Sequence, residues 1–122
     1  MAYGSVLGDA SCGIATGAYV AGRSIMATYI SLIKITHQGI TSIKDGPARL
    51  DAGKEALTVF GSELKAFYLT LGRYDIVAIS DAPDDAAAAK VALAIGAAGT
   101  VATETLRAFT EDEYREIVAA LP

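Results

Sequence analysis

The sequence predicts an α+β domain built on an antiparallel sheet. Three observations carry this reading. Runs rich in β-branched residues alternate with stretches of helical period. Two such runs, ending at Leu71 and starting at Tyr74, are separated only by Gly72-Arg73. Gly, Pro or Asp stands at nearly every change of period. A length of 122 residues suits one domain whose core needs neither disulfide nor metal.

Residues 1–25 stand apart. They contain Gly4, Gly8, Gly13, Gly17 and Gly22, carry charge only at Asp9 and Arg23, and sustain neither period. A secretory signal would need a basic residue ahead of an apolar stretch free of glycine, and this segment has neither. The expectation is a disordered tail, or sequence ahead of the true start at Met26. Residues 26–122 are expected to form the domain.

Met26 to Thr36 reads as strand one, with Tyr29, Ile33 and Ile35 on one face and Ile30 and Leu32 on the other. His37-Gln38-Gly39 is expected to turn. From Ile40 to Phe60 the period becomes helical, with Ile40, Ile43, Pro47, Leu50, Leu57 and Phe60 on one face. Asp45-Gly46-Pro47 predicts a kink, then a main helix from Pro47 to Phe60 with Gly61 in the left-handed position that closes it. Strands two and three are Ser62 to Leu71 and Tyr74 to Asp81. Gly first in a two-residue loop suits a type II′ turn, which requires positive φ there. The implied register sets Leu71 opposite Tyr74, Leu69 opposite Ile76 and Phe67 opposite Ala78. On the other face it pairs Thr70 with Asp75, Tyr68 with Val77 and Ala66 with Ile79. Pro83-Asp84-Asp85 opens an Ala-rich helix that runs to Ala98 and closes at Gly99. Thr100 to Phe109 is strand four. Thr110-Glu111-Asp112-Glu113 is a capping box, opening a last helix with Tyr114, Ile117, Val118 and Leu121 as its apolar stripe. The order β-α-β-β-α-β plus a C-terminal helix is the split βαβ, ferredoxin-like pattern, with both main helices on one face of the sheet.

Such a sheet should leave its second face polar. Here one hairpin face carries Phe67, Leu69, Leu71, Tyr74 and Ile76, and the other Leu64, Ala66, Tyr68, Val77 and Ile79. Burying four large apolar groups of roughly 100 Å² each is worth roughly 10 kcal/mol before association costs. A patch of that size is rarely left wet on a monomer. The expected cover is a second copy packed sheet to sheet, and the alternative is the C-terminal helix.

Composition excludes several partners. The chain is 52% hydrophobic with net charge −4 and pI about 4.8, so nothing attracts a phosphate backbone or anionic lipid. No apolar run reaches the roughly 18 residues of a membrane span. Neither nucleic acid nor membrane is expected as a partner. Cys12 and His37 are single, which leaves no intrachain disulfide and no cysteine or histidine metal cluster. No metal or other cofactor is expected, and a reducing cytoplasm fits.

From Met26 onward the chain resembles the GYD domain family. The resemblance rests on Gly72-Arg73-Tyr74-Asp75 and its surroundings: Thr36 with Gly39, Arg49, Gly61, Tyr68, Pro83-Asp84, Gly99, and Thr103, Thr105, Leu106 and Ala108 in strand four. It implies a relationship to the dimeric α+β-barrel group of ferredoxin-like domains. That group includes cofactor-free monooxygenases and many proteins without known activity. The family supplies no catalytic residue to carry over.

Five residues are candidates for ligand binding. Asp75, beside Thr70 and diagonal to Tyr68, is either a carboxylate in a pocket or an acceptor for turn amides, Arg73 or Arg49. Tyr68 either shows its hydroxyl to a cavity or packs. Tyr74 is expected to pack or lie at an interface. His37 is a base or, more simply, a surface histidine in a turn. Arg49 grips an anion or pairs on its helix. Asp84-Asp85 is better explained by capping than by metal. No dinucleotide fingerprint, phosphate loop or serine-nucleophile motif is present.

Two functions compete: a small homodimeric binding or accessory protein, and a cofactor-free, monooxygenase-like enzyme acting on a small apolar molecule between sheet and helices. A cavity above about 300 Å³ lined by at least two of Tyr68, Asp75, His37 and Arg49 would favour the enzyme, and a filled interior would exclude it. The first reading is preferred, because no motif specifies catalysis.

Overall fold

The computed structural model describes residues 26–122, so the expectation for 1–25 lies outside the described residues. The elements follow in the expected order. They are β1 (Ala27–Ile35), α1 (His37–Thr41), a 3-10 turn (Ile43–Asp45), α2 (Gly46–Val59), β2 (Glu63–Leu69), β3 (Ile76–Ala82), α3 (Asp85–Gly96), β4 (Val101–Ala108) and α4 (Glu111–Ala119). The four strands form one antiparallel sheet in the order β2-β3-β1-β4. Strand β3 thus lies between β1 and β2, which is the ferredoxin-like arrangement of an α+β domain.

The helix boundaries follow local chemistry. The break before α2 falls at Asp45-Gly46-Pro47, and Pro47 sits in the first turn, where its missing N–H costs nothing. Gly61, at φ 72°, closes α2. There the Gly61 N–H donates to Thr58 O and the Ser62 N–H to Leu57 O, the paired bonds of a Schellman motif. Asp84 caps α3 by accepting from Ala87 N at 2.8 Å. The Thr110–Glu113 capping box forms with both of its reciprocal bonds.

The predicted hairpin register is correct from Ala66–Ile79 to Leu69–Ile76, and Gly72 has φ 107°. Two local departures matter. A bulge between Leu64 and Ala66 shifts the ladder, so Leu64 joins Phe67 and Leu69 beneath the helices instead of facing away with Tyr68. At the other end the ladder stops at Leu69 and Ile76, and Asp75 N donates to Ile33 O. Tyr74 consequently leaves the face shared by Ile76. Its hydroxyl donates to Glu104 at 2.8 Å and Lys34 lies over its ring, both on the side away from the helices. His37-Gln38-Gly39, expected as a turn, instead begins α1, capped by Thr36.

Helices α2 and α3 cover one face of the sheet. The tightest packing is at one end, where Tyr29, Ala82 and Ala87 are buried with Ala27 and Ala88 against them. The opposite face carries Ile30, Leu32, Val77, Ile79, Leu106 and Tyr68, partly to largely exposed. Helix α4 does not cover that face; it has only marginal contact with the rest of the described chain. Its stripe is open, from 45% exposure at Val118 to 64% at Leu121.

Candidate functional site

Among the described residues, nothing fills the space between α2 and the sheet. A cavity of about 530 Å³ lies there, floored by Ile33, Ile35, Ile76, Ala78 and Val101 and roofed by Pro47, Leu50, Gly53, Ala56 and Leu57. Its cause is legible in the roof: small residues alternate with Leu50 and Leu57, so the helix rests on the sheet without plugging the gap. Phe67 and Leu69, on the edge strand β2, are exposed and line the same cavity. Beside it lies a second space of about 70 Å³, lined by Tyr29, Ser31, Ser62, Ser80, Thr103 and Thr105 among others. The buried Ser62 hydroxyl has no hydrogen-bond partner among the described residues.

Only Arg49 of the five candidates lines the large cavity. Its guanidinium donates to Ser42 O at 3.1 Å, Ser42 Oγ at 3.3 Å and Gly39 O at 3.3 Å. It ties α2 to the carbonyl end of α1, where cations are favoured. Asp75 serves neither a turn amide nor an arginine. Its Oδ2 accepts from Ile35 N at 2.8 Å, filling a rung of the sheet that the displaced backbone leaves open. Tyr68 stands on the outer face, 58% exposed, and no hydrogen bond joins it to Asp75. His37 is exposed at the start of α1. Tyr74 has its phenol pKa raised, first by the hydrogen bond to Glu104.

Other signature positions turn out to be architectural. Thr36 Oγ1 accepts from Gly39 N at 3.1 Å and donates to Gly99 O at 2.7 Å, and Thr36 N donates to Thr100 O. One side chain thus caps α1 and ties it to the start of β4. Gly99 has φ 80°, a conformation that suits glycine.

The sequence pattern missed one buried polar contact. Tyr29, 4% exposed, donates its hydroxyl to Asp85 Oδ1 at 2.5 Å. Burial and this carboxylate hold its phenol well above the usual range. The signal was present as a tyrosine on the apolar face of β1 and an acid in the first turn of α3, but nothing local joins positions so far apart in sequence.

Among the described residues no helix is long and apolar enough to cross a membrane, and no group of three His, Cys, Asp or Glu residues is placed to hold a metal ion. In the comparisons with known proteins, no solved structure matches the chain. A curated relative from Thermus thermophilus, named "Glutamine synthetase and cystathionine beta-lyase binding protein", is 34% identical over 84 residues, which is 68% of this chain and 88% of the relative. The GYD domain model matches residues 29–118, nearly the whole described domain. The chain belongs to the GYD domain family.

Proposed function

We propose that this protein is a small cytoplasmic accessory protein that pairs with itself through the outer face of its sheet and docks on an enzyme. The observation that carries the reading is a pair of apolar surfaces that no other described residues cover. Ile30, Leu32, Val77, Ile79 and Leu106 make one, and the stripe of α4 makes the other. A nine-residue helix is marginal in water on its own, so a capped α4 with an open stripe suits helix-in-groove docking. The Thermus relative, named for binding two enzymes, supports the enzyme partner. Glutamine synthetase and cystathionine beta-lyase of the same organism are the first partners to try. Native mass spectrometry of the full chain, alone and with each purified enzyme, tests both halves. Dimer mass and a retained complex are expected. A monomer at micromolar concentration overturns the self-pairing, and no complex with either enzyme overturns the choice of partner.

The cofactor-free enzyme is the second reading, and the cavity is what favours it. Its size exceeds the threshold set by small-ligand sites of about 300 Å³. Its lining does not meet the other condition, since Arg49 alone of the four polar candidates is there and, among the described residues, no His, Tyr, Cys, Asp or Glu joins it. The space supports binding more than turnover.

A further inference from the structure

The cavity beneath α2 lies on the opposite side of the sheet from the self-pairing face, so what it holds is a separate question. Its charge is out of keeping with the chain. Acids outnumber bases 14 to 10 in the sequence, yet among the described residues both charged groups lining the cavity, Arg49 and Lys54, are cations, and no acid lines it. Among the described residues neither has a carboxylate within 4.0 Å. The hydrogen bonds of Arg49 go to carbonyls and a hydroxyl, which orient the guanidinium without neutralising it. The remaining walls are almost wholly aliphatic. Cations without counterions beside an apolar space are complemented by an anion with an apolar body.

We propose that this cavity binds an amphipathic monocarboxylate. Its apolar tail lies against Ile33, Leu64, Phe67 and Ile76, and its carboxylate lies beneath α2 in the field of Arg49 and Lys54, which stand on opposite flanks of that helix. The volume of about 530 Å³ accepts a medium-length chain or a single substituted ring. The exposed edge at Phe67 and Leu69 provides entry.

Calorimetric titration of the full chain with decanoate, decanol and decylammonium tests this. Decanoate is expected to saturate at one per chain and to bind about tenfold tighter than decylammonium and severalfold tighter than decanol. Two variants locate the site. A β-carbon at Gly53 meets nothing nearer than Ile95 Cδ1 at 4.0 Å, so Gly53→Leu extends into the cavity and should abolish decanoate binding while the circular dichroism spectrum stays native. Lys54→Gln removes a charge from an exposed residue, sparing the brace at Arg49. It should weaken decanoate about threefold and leave decanol unchanged. Absence of decanoate binding, equal affinity for all three amphiphiles, or undiminished binding by folded Gly53→Leu would each overturn the proposal. None of these outcomes bears on the oligomeric state or the enzyme partner.

Discussion

A β-carbon on Gly39 would lie 2.2 Å from the Thr100 carbonyl oxygen and 2.8 Å from Ile35 Cγ2. The obstacle at Thr100 is backbone and cannot rotate away. Gly39→Ala should cost about 1–3 kcal/mol, read from the urea midpoint. Asp75 allows a sharper distinction between architecture and chemistry. Asp75→Ala leaves the Ile35 N–H without its acceptor and should cost about 1–3 kcal/mol. Asp75→Asn keeps an oxygen there and should lose less than half of that. An Asp75→Ala variant as stable as the parent would remove the structural explanation of this residue. Tyr29 gives a pH dependence. Its phenol keeps its proton in the native state well past the value of about 10 at which an unfolded tyrosine releases it. Above that pH the unfolded chain binds fewer protons than the folded one, so stability falls as pH rises. Urea midpoints measured from pH 8.5 to about 11.5 should therefore decline more steeply in the parent than in Tyr29→Phe.

At the scale of elements, α2 is a roof with a weak point. Gly53 lies mid-helix with room for a methyl group, so Gly53→Ala should stabilise by about 0.5–1 kcal/mol and raise the melting temperature. The strand and helix order was readable because each change of period carries its own punctuation: Asp45-Gly46-Pro47, Gly61, Gly72-Arg73, Pro83-Asp84, Gly99 and Thr110. The register of the hairpin from Ala66 to Leu69 was readable because Gly72-Arg73 centres the connection, although the ladder ends at Leu69 and Ile76 rather than running on to Leu71 and Tyr74. What was not readable is non-local. The bulge near Lys65 depends on how β2 lies against β3, and it decides which way Leu64 points. The swing of Tyr74 depends on Ile33 offering its carbonyl to Asp75. The site candidates were polar residues of the hairpin (Tyr68, Tyr74 and Asp75), the end of strand one (His37) and the first main helix (Arg49). They scattered because Asp75 is held by the end of β1, Arg49 by the end of α1 and Tyr74 by Glu104 within β4, rather than by a shared pocket. The cavity itself has almost no signature, because an absence of bulk in α2 looks like ordinary helix composition.

For the whole molecule, the question is which surfaces meet other chains. Ile79 lies near the middle of the outer face, paired with Ile30 on one side and Ala66 on the other. Ile79→Lys places a charge in the proposed self-pairing surface and should convert the dimer to a monomer, seen as a halved mass by light scattering with an unchanged circular dichroism spectrum. A dimer that survives this change would place the contact elsewhere. The bulge in β2 bears on the same question from the side. An outer strand with a regular row of free amides is a template on which further strands add without limit. Here the row is broken beside Lys65, whose ammonium lies 3.7 Å from Glu63 and 3.9 Å from Asp81. The kink and the charge together make that border a poor seed for fibrils, so growth by strand addition is discouraged while the broad faces stay free for closed, finite assemblies.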